Sequence, residues 1–471
     1  MVGRQNEGHR LQILLDSNRS EFLAVTGRRR VGKTYLVDHL LSSYYAFQIT
    51  GIRDGDMQTQ LINFDLKLRQ YSGADQSRTT SWQFAFEKLK QLLKAQPDTN
   101  KQVLFFDEVP WLATARSGFI QHLAHFWNDF LSKHNHFLLV ICGSATSWIT
   151  QKIVNDRGGL HNRLTEVIHL TPFSLSEVQV FLNNRKIDLT PQLLTQYYMT
   201  LGGIPYYLEQ IRRGESYAQT IERICFDPGG ILHREYLNLY QALFNNADLH
   251  EQIVALLAQH KYGLTRLMLS RELGVEASHG SFRRALKELI ASDFLVEYSA
   301  YGKSKRDKRY VLCDEYSIFY HHFQKNLQYT TGIWQQLSTS QAYKSWSGLA
   351  FERLCTKHIS EIKAALGISA VYTEQYTLSE RATDLHPGFQ IDLLIDRKDQ
   401  VINLCEIKHH QGPFAINKEY HSKLIQRRAA FIEHSKTAKQ VYLTMITSQG
   451  LHENKYSREI DAQLTVEDLL R

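Results

Sequence analysis

Two glycines, a lysine and a threonine near the N-terminus have the spacing of a phosphate-binding loop. Residues 26–34 read TGRRRVGKT, which fits the pattern G-x-x-x-x-G-K-[ST]. Gly27 and Gly32 let the backbone curl so that its N–H groups point at phosphate oxygens, and the helix that starts there favours an anion. Lys33 would reach the β- and γ-phosphates, and the Thr34 hydroxyl would bind Mg²⁺.

The surroundings of this loop favour a nucleotide site over a chance match in a basic turn. An apolar run precedes it and a helix-like run follows it, which is the strand–loop–helix order that such a site requires. The predicted contacts cover the whole loop and the residue after it, namely Gly27, Arg28, Arg29, Arg30, Val31, Gly32, Lys33, Thr34 and Tyr35.

Two acidic residues follow the apolar run 102–106. A buried parallel strand delivers such carboxylates to the carboxyl edge of its sheet, where the predicted phosphate loop also opens. Asp107 would hold Mg²⁺ through water, and Glu108 would polarise the attacking water. The alternative is a strand that merely ends in a polar turn, and the accompanying phosphate loop disfavours it.

Two further polar residues are candidates for the same site. The apolar run 137–142 ends in small polar residues, of which Ser144 could sense the γ-phosphate. Arg163 precedes another strand-like run and is a candidate arginine finger, acting in cis or from a neighbouring subunit. The alternatives are a plain turn after the strand and an ordinary surface arginine.

A second group of carboxylates lies near the C-terminus. Residues 388–396 and 401–408 read as two strands joined by a polar turn, and pairing across this hairpin can bring Asp392 near Glu406. Two such carboxylates bind a hard divalent ion, Mg²⁺ or Mn²⁺, and Lys408 beside it could orient or deprotonate water. Glu352 could add an oxygen from a helix. The alternative is a hairpin held by salt bridges.

The middle of the chain combines short helices with basic residues. Three helical patterns between residues 249 and 290 precede two strands, 294–298 and 310–313, which flank the basic loop 302–309. This order predicts a winged helix-turn-helix, whose third helix carries Arg283, Arg284 and Lys287 toward a DNA groove. The alternative is a winged helix that serves only for packing, with a solvated wing.

Composition sets broader bounds. The chain has 471 residues, which predicts two or three domains, and a modest net charge of +7. The five cysteines are scattered, which favours free thiols in a reducing cytoplasm over a disulfide framework or a zinc site. We predict a cytoplasmic protein with no membrane partner, because the sequence has no signal-peptide pattern and no membrane-spanning apolar run.

These patterns predict four regions. They are a P-loop NTPase core of α/β class with a parallel sheet at 1–170, a helical lid at 171–245, a winged helix at 246–330 and a C-terminal α/β domain at 331–471.

Residues 1–230 resemble the archaeal-type ATPases of the AAA+/STAND superfamily. The matching features are Gly3-Arg4 with Glu7, the phosphate loop, Asp107-Glu108, Cys142-Gly143-Ser144, and the segments 172–177 (PFSLSE) and 201–207 (LGGIPYY). The resemblance implies ATP as the nucleotide and a lid in which Pro205 packs against it. Hexameric motors of this superfamily have a second sensor arginine that is not evident near Pro205, so the resemblance leaves ring assembly open, and a homo-oligomer is one expected state.

The C-terminal region resembles the PD-(D/E)xK nuclease superfamily, which has a restriction-endonuclease-like fold. The positions carried over are Asp392, Glu406 and Lys408, with Glu352 more weakly. The proline that usually precedes the aspartate is absent, since Gln390-Ile391 stand there. The order of the three modules is similar to that of ATP-binding proteins with the domain called DUF234.

Two functional hypotheses follow. The first is an ATP- and Mg²⁺-dependent switch coupled to DNA binding and to a metal-dependent nuclease domain, with Glu108, Lys33, Arg163 and Lys408 as its catalytic groups. The second is an ATP-gated DNA-binding regulator or sensor whose nuclease-like tail does not cut.

Overall fold

The contacts within the chain divide it into two units. The structure, a computed structural model, describes residues 3–73, 77–97, 100–155, 158–160, 162–244, 246–299, 301–302, 308–325, 327, 330–380 and 388–470. The first unit comprises Met1–Thr171 and Ala291–Asp293, and the second comprises Pro172–Ile290 and Phe294–Arg471. Among the described residues, no helix is both long enough and apolar enough to cross a bilayer.

The first unit is built on a five-stranded parallel sheet of order β2-β3-β4-β1-β5. Its strands are β1 (Glu21–Thr26), β2 (Tyr45–Thr50), β3 (Gln102–Asp107), β4 (Phe137–Cys142) and β5 (Glu166–His169). The three central strands β3, β4 and β1 are buried along their whole length, which explains their nearly continuous apolar sequences. This sheet confirms the parallel α/β fold predicted from the sequence.

Helices cover the sheet of the first unit. They are α1 (Gln5–Leu15), α2 (Lys33–Leu41), α3 (Met57–Ser72), α4 (Trp82–Lys94), α5 (Val109–Leu112), α6 (Phe119–Asp129) and α7 (Thr146–Ile149). Aromatic side chains fill one part of the core, where the rings of Phe86 and Phe126 stack at 5.2 Å and Trp82 meets Phe119 edge-on at 4.7 Å. This packing fixes α4 and α6 and thereby supports β3 beneath them.

The second unit begins with helices, namely α8 (Leu175–Asn184), α9 (Pro191–Leu201), α10 (Pro205–Leu208), α11 (Tyr217–Ile221) and α12 (Glu235–Leu243). Gly202 and Gly203 of the segment 201–205 (LGGIP) are required because other atoms lie too close for a side chain. A Cβ on Gly203 would lie 1.9 Å from the Phe173 carbonyl oxygen, and one on Gly202 would lie 2.6 Å from Glu315 Oε2. Gly202 also has a φ of +63°, so any other residue would strain this turn.

Residues 246–330, called here the middle module, contain four α-helices and a small antiparallel sheet in the part that the structure describes. The elements are α13 (Asp248–Ala258), β6 (Leu264–Thr265), α14 (Arg266–Leu273), α15 (Gly280–Ala291), β7 (Leu295–Tyr298), β8 (Arg309–Leu312) and α16 (Glu315–Phe319). The sheet order is β6-β8-β7. The predicted basic loop lies partly outside the described residues, since 303–307 are not among them.

Residues 331–471, called here the tail, form a mixed five-stranded sheet of order β13-β12-β11-β10-β9. The elements are α17 (Ile333–Leu337), α18 (Gln341–Lys357), α19 (Ile359–Ala365), β9 (Thr373–Glu380), β10 (Phe389–Arg397), β11 (Val401–Lys408), α20 (Lys418–Ser435), β12 (Gln440–Thr447) and β13 (Ala462–Thr465). Strands β9, β10 and β11 pair antiparallel, whereas β11, β12 and β13 pair parallel. Helix α20 buries Leu424 and Phe431 in the core of this sheet.

Candidate functional site: phosphate loop and acidic cluster

The phosphate loop leaves β1 at Thr26 and ends where α2 begins at Lys33. Gly27 has a φ of +137°, and a Cβ there would lie 2.3 Å from the Leu170 carbonyl oxygen. Gly32 is the N-cap of α2 with a φ of +89°. Both positions therefore need glycine, the first because of a close backbone contact and the second because of its left-handed conformation.

Lys33 lies inside the curl of this loop. Its Nζ donates to the carbonyl oxygens of Gly27 and Arg28, each at 2.9 Å, and the residue is buried. The N-terminus of α2 carries no side-chain cap. Backbone N–H groups at a helix start, together with a buried ammonium, are a donor set suited to a phosphate group.

Thr34 and Asp107 meet at the carboxyl edge of the sheet. Thr34 Oγ1 donates to Asp107 Oδ2 at 2.9 Å, while Asp107 Oδ1 accepts the Glu108 N–H at 2.9 Å. Asp107 is buried, and Thr34 is exposed. A hydroxyl and a carboxylate side by side are oxygen ligands of the type that Mg²⁺ prefers, so these residues fit that ion.

Glu108 is held in an unusual conformation beside Ser144. Its φ of +47° is left-handed, which is costly for a residue with a side chain. Its Oε2 accepts hydrogen bonds from the Ser144 N–H at 3.1 Å and from the Ser144 hydroxyl at 3.2 Å. Burial raises the pKa of Glu108, and the charge of Lys33 and the bonds from Ser144 partly offset that rise.

The structure places the other predicted loop residues around this centre. Arg28 and Val31 are buried, Arg29 and Arg30 are partly buried, and Arg30 has a φ of +72°. Tyr35 is exposed and stacks on His39, with ring centroids 5.6 Å apart.

The remaining two predicted residues are Arg163 and Pro205. The side chain of Arg163 is exposed, and its backbone N–H donates to the Leu160 carbonyl at 3.1 Å. Pro205 is the first residue of α10 and belongs to the second unit.

Sequence reasoning gave no role to Arg4, which is part of this site. The Arg4 side chain is buried, and its Nη2 donates to the carbonyls of Val31 at 3.3 Å and Thr171 at 2.7 Å. Its Nη1 pairs with Glu7 at 3.4 Å. Arg4 thus ties the start of the chain to the phosphate loop. The sequence singled out Arg4 and Glu7 only as matching features of the family resemblance, and that pattern did not connect Arg4 with the phosphate loop.

The tail brings three carboxylates together, and we call Glu352, Asp392 and Glu406 the acidic cluster. Leu393 pairs with Cys405 across β10 and β11, so Asp392 and Glu406 follow as the next opposed residues. Lys408 Nζ lies 2.8 Å from Glu406 Oε1 and 4.0 Å from Asp392 Oδ2. The hairpin pattern in the sequence anticipated this placement because side chains alternate with period two.

Three further residues of this cluster were missed from the sequence. Lys261 Nζ lies 2.7 Å from Glu352 Oε2 and 3.9 Å from Asp392 Oδ1. Arg427 of α20 forms an ion pair with Glu406 Oε2, and Tyr420 donates its hydroxyl to Glu406 Oε1 at 2.6 Å. No short motif marks these residues, since they come from separate elements.

The charges of the cluster set two pKa values in opposite directions. Burial, helped by the nearby charge of Asp392, raises the pKa of Glu352 to about 7 against the pull of Lys261. Burial also disfavours ionised Glu406, but Lys408 and Arg427 outweigh it and lower the pKa of that carboxyl. Glu406 is therefore firmly ionised at neutral pH, whereas Glu352 is partly protonated there.

The acidic cluster, as arranged, does not fit a divalent ion. Asp392 Oδ1 accepts from Gln390 Nε2 at 3.1 Å, and Asp392 Oδ2 accepts from the Ile407 N–H at 3.2 Å. Both oxygens of Glu406 are also occupied. Within the described part of the chain, no three His, Cys, Asp or Glu side chains are grouped so that they could hold a metal. The predicted second metal site is therefore filled by protein cations and donors.

Helix α15 presents an exposed basic face. Arg283, Arg284 and Lys287 are exposed, whereas Phe282 and Leu286 on the opposite face are buried in the middle module. This distribution is typical of an amphipathic helix whose polar side is available for contact.

Comparison with known proteins finds a family match for the N-terminal region. Residues 1–211 match the family described as "ATPase domain predominantly from Archaea". An uncharacterised protein of Methanocaldococcus jannaschii, MJECL04, is 23% identical over 370 residues, which span 77% of each chain. The N-terminal region is thus a P-loop ATPase domain.

Two solved structures are similar to this chain, and the first of them supports its fold. The Walker-type ATPase PABY2304 of Pyrococcus abyssi is similar at a TM-score of 0.50 and 16% identity, over 68% of this chain and 96% of that one. The ORC2 protein of Aeropyrum pernix, in its ADPNP–ADP complexes, is similar at a TM-score of 0.42 and 15% identity, over 72% of this chain and 95% of that one.

Proposed function

We propose that this protein is a Mg²⁺-dependent ATPase switch coupled to DNA binding. One observation carries the proposal: two pairs of side chains, Thr34 with Asp107 and Glu108 with Ser144, meet at the edge of the sheet where the phosphate loop opens. A site built only to bind nucleotide would not need a partly buried, strained glutamate held by a serine at that edge.

Each residue has a role in hydrolysis. Lys33 leaves the loop carbonyls to contact the β- and γ-phosphates, and the N–H groups at the start of α2 bind phosphate oxygens. Mg²⁺, when bound, neutralises charge on those oxygens, and Thr34 and Asp107 are the residues that would hold it.

Glu108 polarises the attacking water, and Ser144 controls the position of the Glu108 carboxylate. The two Ser144 donors that hold the Glu108 carboxylate are also suitable partners for a γ-phosphate oxygen. Arrival of the γ-phosphate would therefore release Glu108 toward the water. This exchange makes the residue pair sensitive to whether ATP or ADP is bound.

The remaining predicted contacts belong to the same proposal. Arg163 is the candidate arginine finger and would act from a second copy of the chain in a homo-oligomer. Pro205 would place the helical lid over the nucleotide, and the exposed Tyr35 would contact it beyond the loop.

Turnover of ATP tests this proposal directly. Glu108→Gln keeps the shape of the side chain but removes the base, so hydrolysis should fall by about 100-fold or more while ATP still binds. Lys33→Ala should lose binding as well. Glu87→Gln, which changes an exposed glutamate of α4, is the matched control and should behave as wild type. Full ATPase activity in Glu108→Gln would contradict the proposal.

DNA binding is proposed for the middle module, read as a winged helix-turn-helix. The exposed basic face of α15 supports this role, since arginines and a lysine on the third helix suit phosphates and base edges in a groove. Replacing Arg283 and Arg284 together should weaken DNA binding and reduce its salt dependence. Fluorescence anisotropy at several salt concentrations measures both. An unchanged affinity would contradict this role.

Phosphodiester cleavage in the tail is a second candidate function. The observation that favours it is the convergence of Asp392, Glu406 and Lys408 on neighbouring strands. Nicking of plasmid DNA with Mg²⁺ or Mn²⁺, compared between wild type and Glu406→Ala, tests it. Cleavage that survives Glu406→Ala, or no cleavage by either protein, would leave the tail as the non-cutting module of an ATP-gated regulator.

A further inference from the structure

We propose that Lys261 is an internal counter-ion, which holds the place between Glu352 and Asp392 that a divalent cation would need. Binding of a metal in the tail then requires the ammonium of Lys261 to withdraw. This inference rests on the proposed function of the tail only in taking the acidic cluster as the place where a metal would bind.

The position of Lys261 supports this role. Its Nζ is 2.7 Å from Glu352 Oε2 and 3.9 Å from Asp392 Oδ1, so one ammonium stands between carboxylates that belong to a helix and to a strand. It also lies 4.9 Å from the centre of the Tyr262 ring. A hard cation at the same place would meet the positive charge of Lys261 within a few ångströms, which opposes its binding.

The carboxylates of the cluster contact different cations. The carboxylates are Glu352, Asp392 and Glu406. The cations that pair with them are Lys261, Lys408 and Arg427. Lys408 and Arg427 both contact Glu406, so Lys261 is the cation that neutralises Glu352. Removing Lys261 would take away the positive charge between Glu352 and Asp392, so that a divalent ion could bind there by displacing the proton that Glu352 then holds.

The turn that carries Lys261 is held in place by contacts with strand β8 of the middle module. Gly263 has a φ of +63°, and a Cβ there would lie 2.1 Å from the Tyr310 carbonyl oxygen of β8. Arg309 of β8 donates to the Gly263 carbonyl at 3.1 Å. The same short turn therefore touches the hairpin of the middle module and reaches the acidic cluster of the tail.

Two ways of releasing Lys261 follow from this arrangement. The lysine side chain has a flexible four-carbon stem, so its ammonium can swing away while the turn stays in place. Alternatively, DNA bound at the hairpin could move the turn, and metal and DNA would then each raise the affinity for the other.

Metal binding by the full-length protein tests the inference without relying on cleavage. The probe is Mn²⁺, followed by isothermal titration calorimetry and by its electron paramagnetic resonance signal. Lys261→Gln should bind Mn²⁺ at least about tenfold more tightly than wild type, because the competing charge is gone. Adding Glu352→Gln to that variant should remove the gain. Any Mn²⁺ that binds at Asp107 is common to all variants and cancels in the comparison.

Two controls separate charge from general disturbance. Lys261→Arg keeps the cation and should bind Mn²⁺ as weakly as wild type. Lys344→Met changes an exposed lysine on α18, the helix that carries Glu352, and should also match wild type. Lys261→Met serves as a second neutral variant if Lys261→Gln proves unstable in thermal melts.

The outcomes distinguish this inference from the proposed nuclease. Equal Mn²⁺ affinity in wild type and the neutral variants, including no binding by any of them, would overturn the role of Lys261. If the neutral variants bind Mn²⁺ tightly yet cut no DNA, the counter-ion role stands and the nuclease fails. If wild type cuts DNA while its Mn²⁺ titration coincides with that of Lys261→Gln, the nuclease stands and the counter-ion role fails.

Discussion

Glu108 and Ser144 are joined by two hydrogen bonds, in which the Ser144 N–H and hydroxyl both donate to one carboxylate oxygen of Glu108. The two residues follow the neighbouring strands β3 and β4, which are paired parallel. The contact places the side chain proposed to activate water for ATP hydrolysis under the control of a residue that the γ-phosphate can also bind. Four predictions follow for the ATPase and for the stability of the chain.

The first prediction concerns the pH dependence of ATP hydrolysis. The bonds from Ser144 lower the pKa of Glu108, which burial raises. Glu108 acts as a base only when ionised, so Ser144→Ala should move the acid limb of the kcat/KM profile to higher pH and lower kcat at neutral pH. Steady-state kinetics between pH 5 and pH 9 measure the limb. An acid limb that stays in place or moves to lower pH would contradict the proposed effect of Ser144 on Glu108.

The second prediction concerns the close contact at Gly27. Gly27→Ala places a methyl group 2.3 Å from the Leu170 carbonyl oxygen at a positive φ, so it should destabilise the fold by about 3 kcal/mol or more and abolish ATP binding. Gly73→Ala is the matched control. Gly73 also has a positive φ, but among the described residues other than its chain neighbours no atom lies within 4 Å of the added Cβ, so we expect a loss of only about 1 kcal/mol.

Chemical denaturation and ATP titration of these two variants give the comparison. Equal losses in both would mean that conformation alone, and not the contact with Leu170, requires glycine at position 27.

The third prediction concerns Arg4. Arg4→Met removes a buried guanidinium that binds the carbonyls of Val31 and Thr171, so ATP affinity should fall by about tenfold and stability by about 2–4 kcal/mol. Arg10→Met is the control, since Arg10 pairs with Glu166 at a half-exposed position and contributes about 1 kcal/mol or less. ATP titration and denaturation of both variants decide the matter. Equal losses of ATP affinity and stability in the two variants would contradict a specific role of Arg4 at the phosphate loop.

The fourth prediction concerns acid stability. His358 is buried, with Nε2 accepting the Leu175 N–H at 2.8 Å and Nδ1 donating to the Leu354 carbonyl at 2.8 Å. Burial lowers the pKa of His358 to about 4. The unfolded chain therefore binds the extra proton first, and folding stability should fall by about 3 kcal/mol as the pH drops from about 6.5 to about 4.

Replacement of the histidine isolates this contribution. His358→Gln keeps one donor and one acceptor but does not titrate in this range, so its stability should depend less steeply on pH. His279→Gln, at an exposed position of the middle module, should retain the slope of wild type. Urea unfolding at a series of pH values provides the measurement, and identical slopes in wild type and His358→Gln would refute the assignment.

The sequence alone determined the parts of this protein that are local along the chain. The phosphate loop was predictable because the strand, the two glycines, Lys33 and Thr34 are contiguous, and the parallel sheet that it implied is confirmed. The opposition of Asp392 and Glu406 was also predictable, because side chains alternate along a strand and the connecting turn is short. The P-loop ATPase identity followed from these local patterns and is supported by the match of residues 1–211.

Only the tertiary structure decided which distant groups meet. Arg4 reaches Thr171, and Lys261 reaches Glu352, across separations that leave no periodic trace in the sequence. The partner of a long side chain is determined by which groups lie near it in the folded structure. An isolated arginine or lysine therefore gives the same sequence pattern whether it is solvated or buried in an ion pair. For that reason the sequence could predict the carboxylates of the tail and Lys408 beside them, whereas only the fold showed that Lys261 and Arg427 pair with those carboxylates.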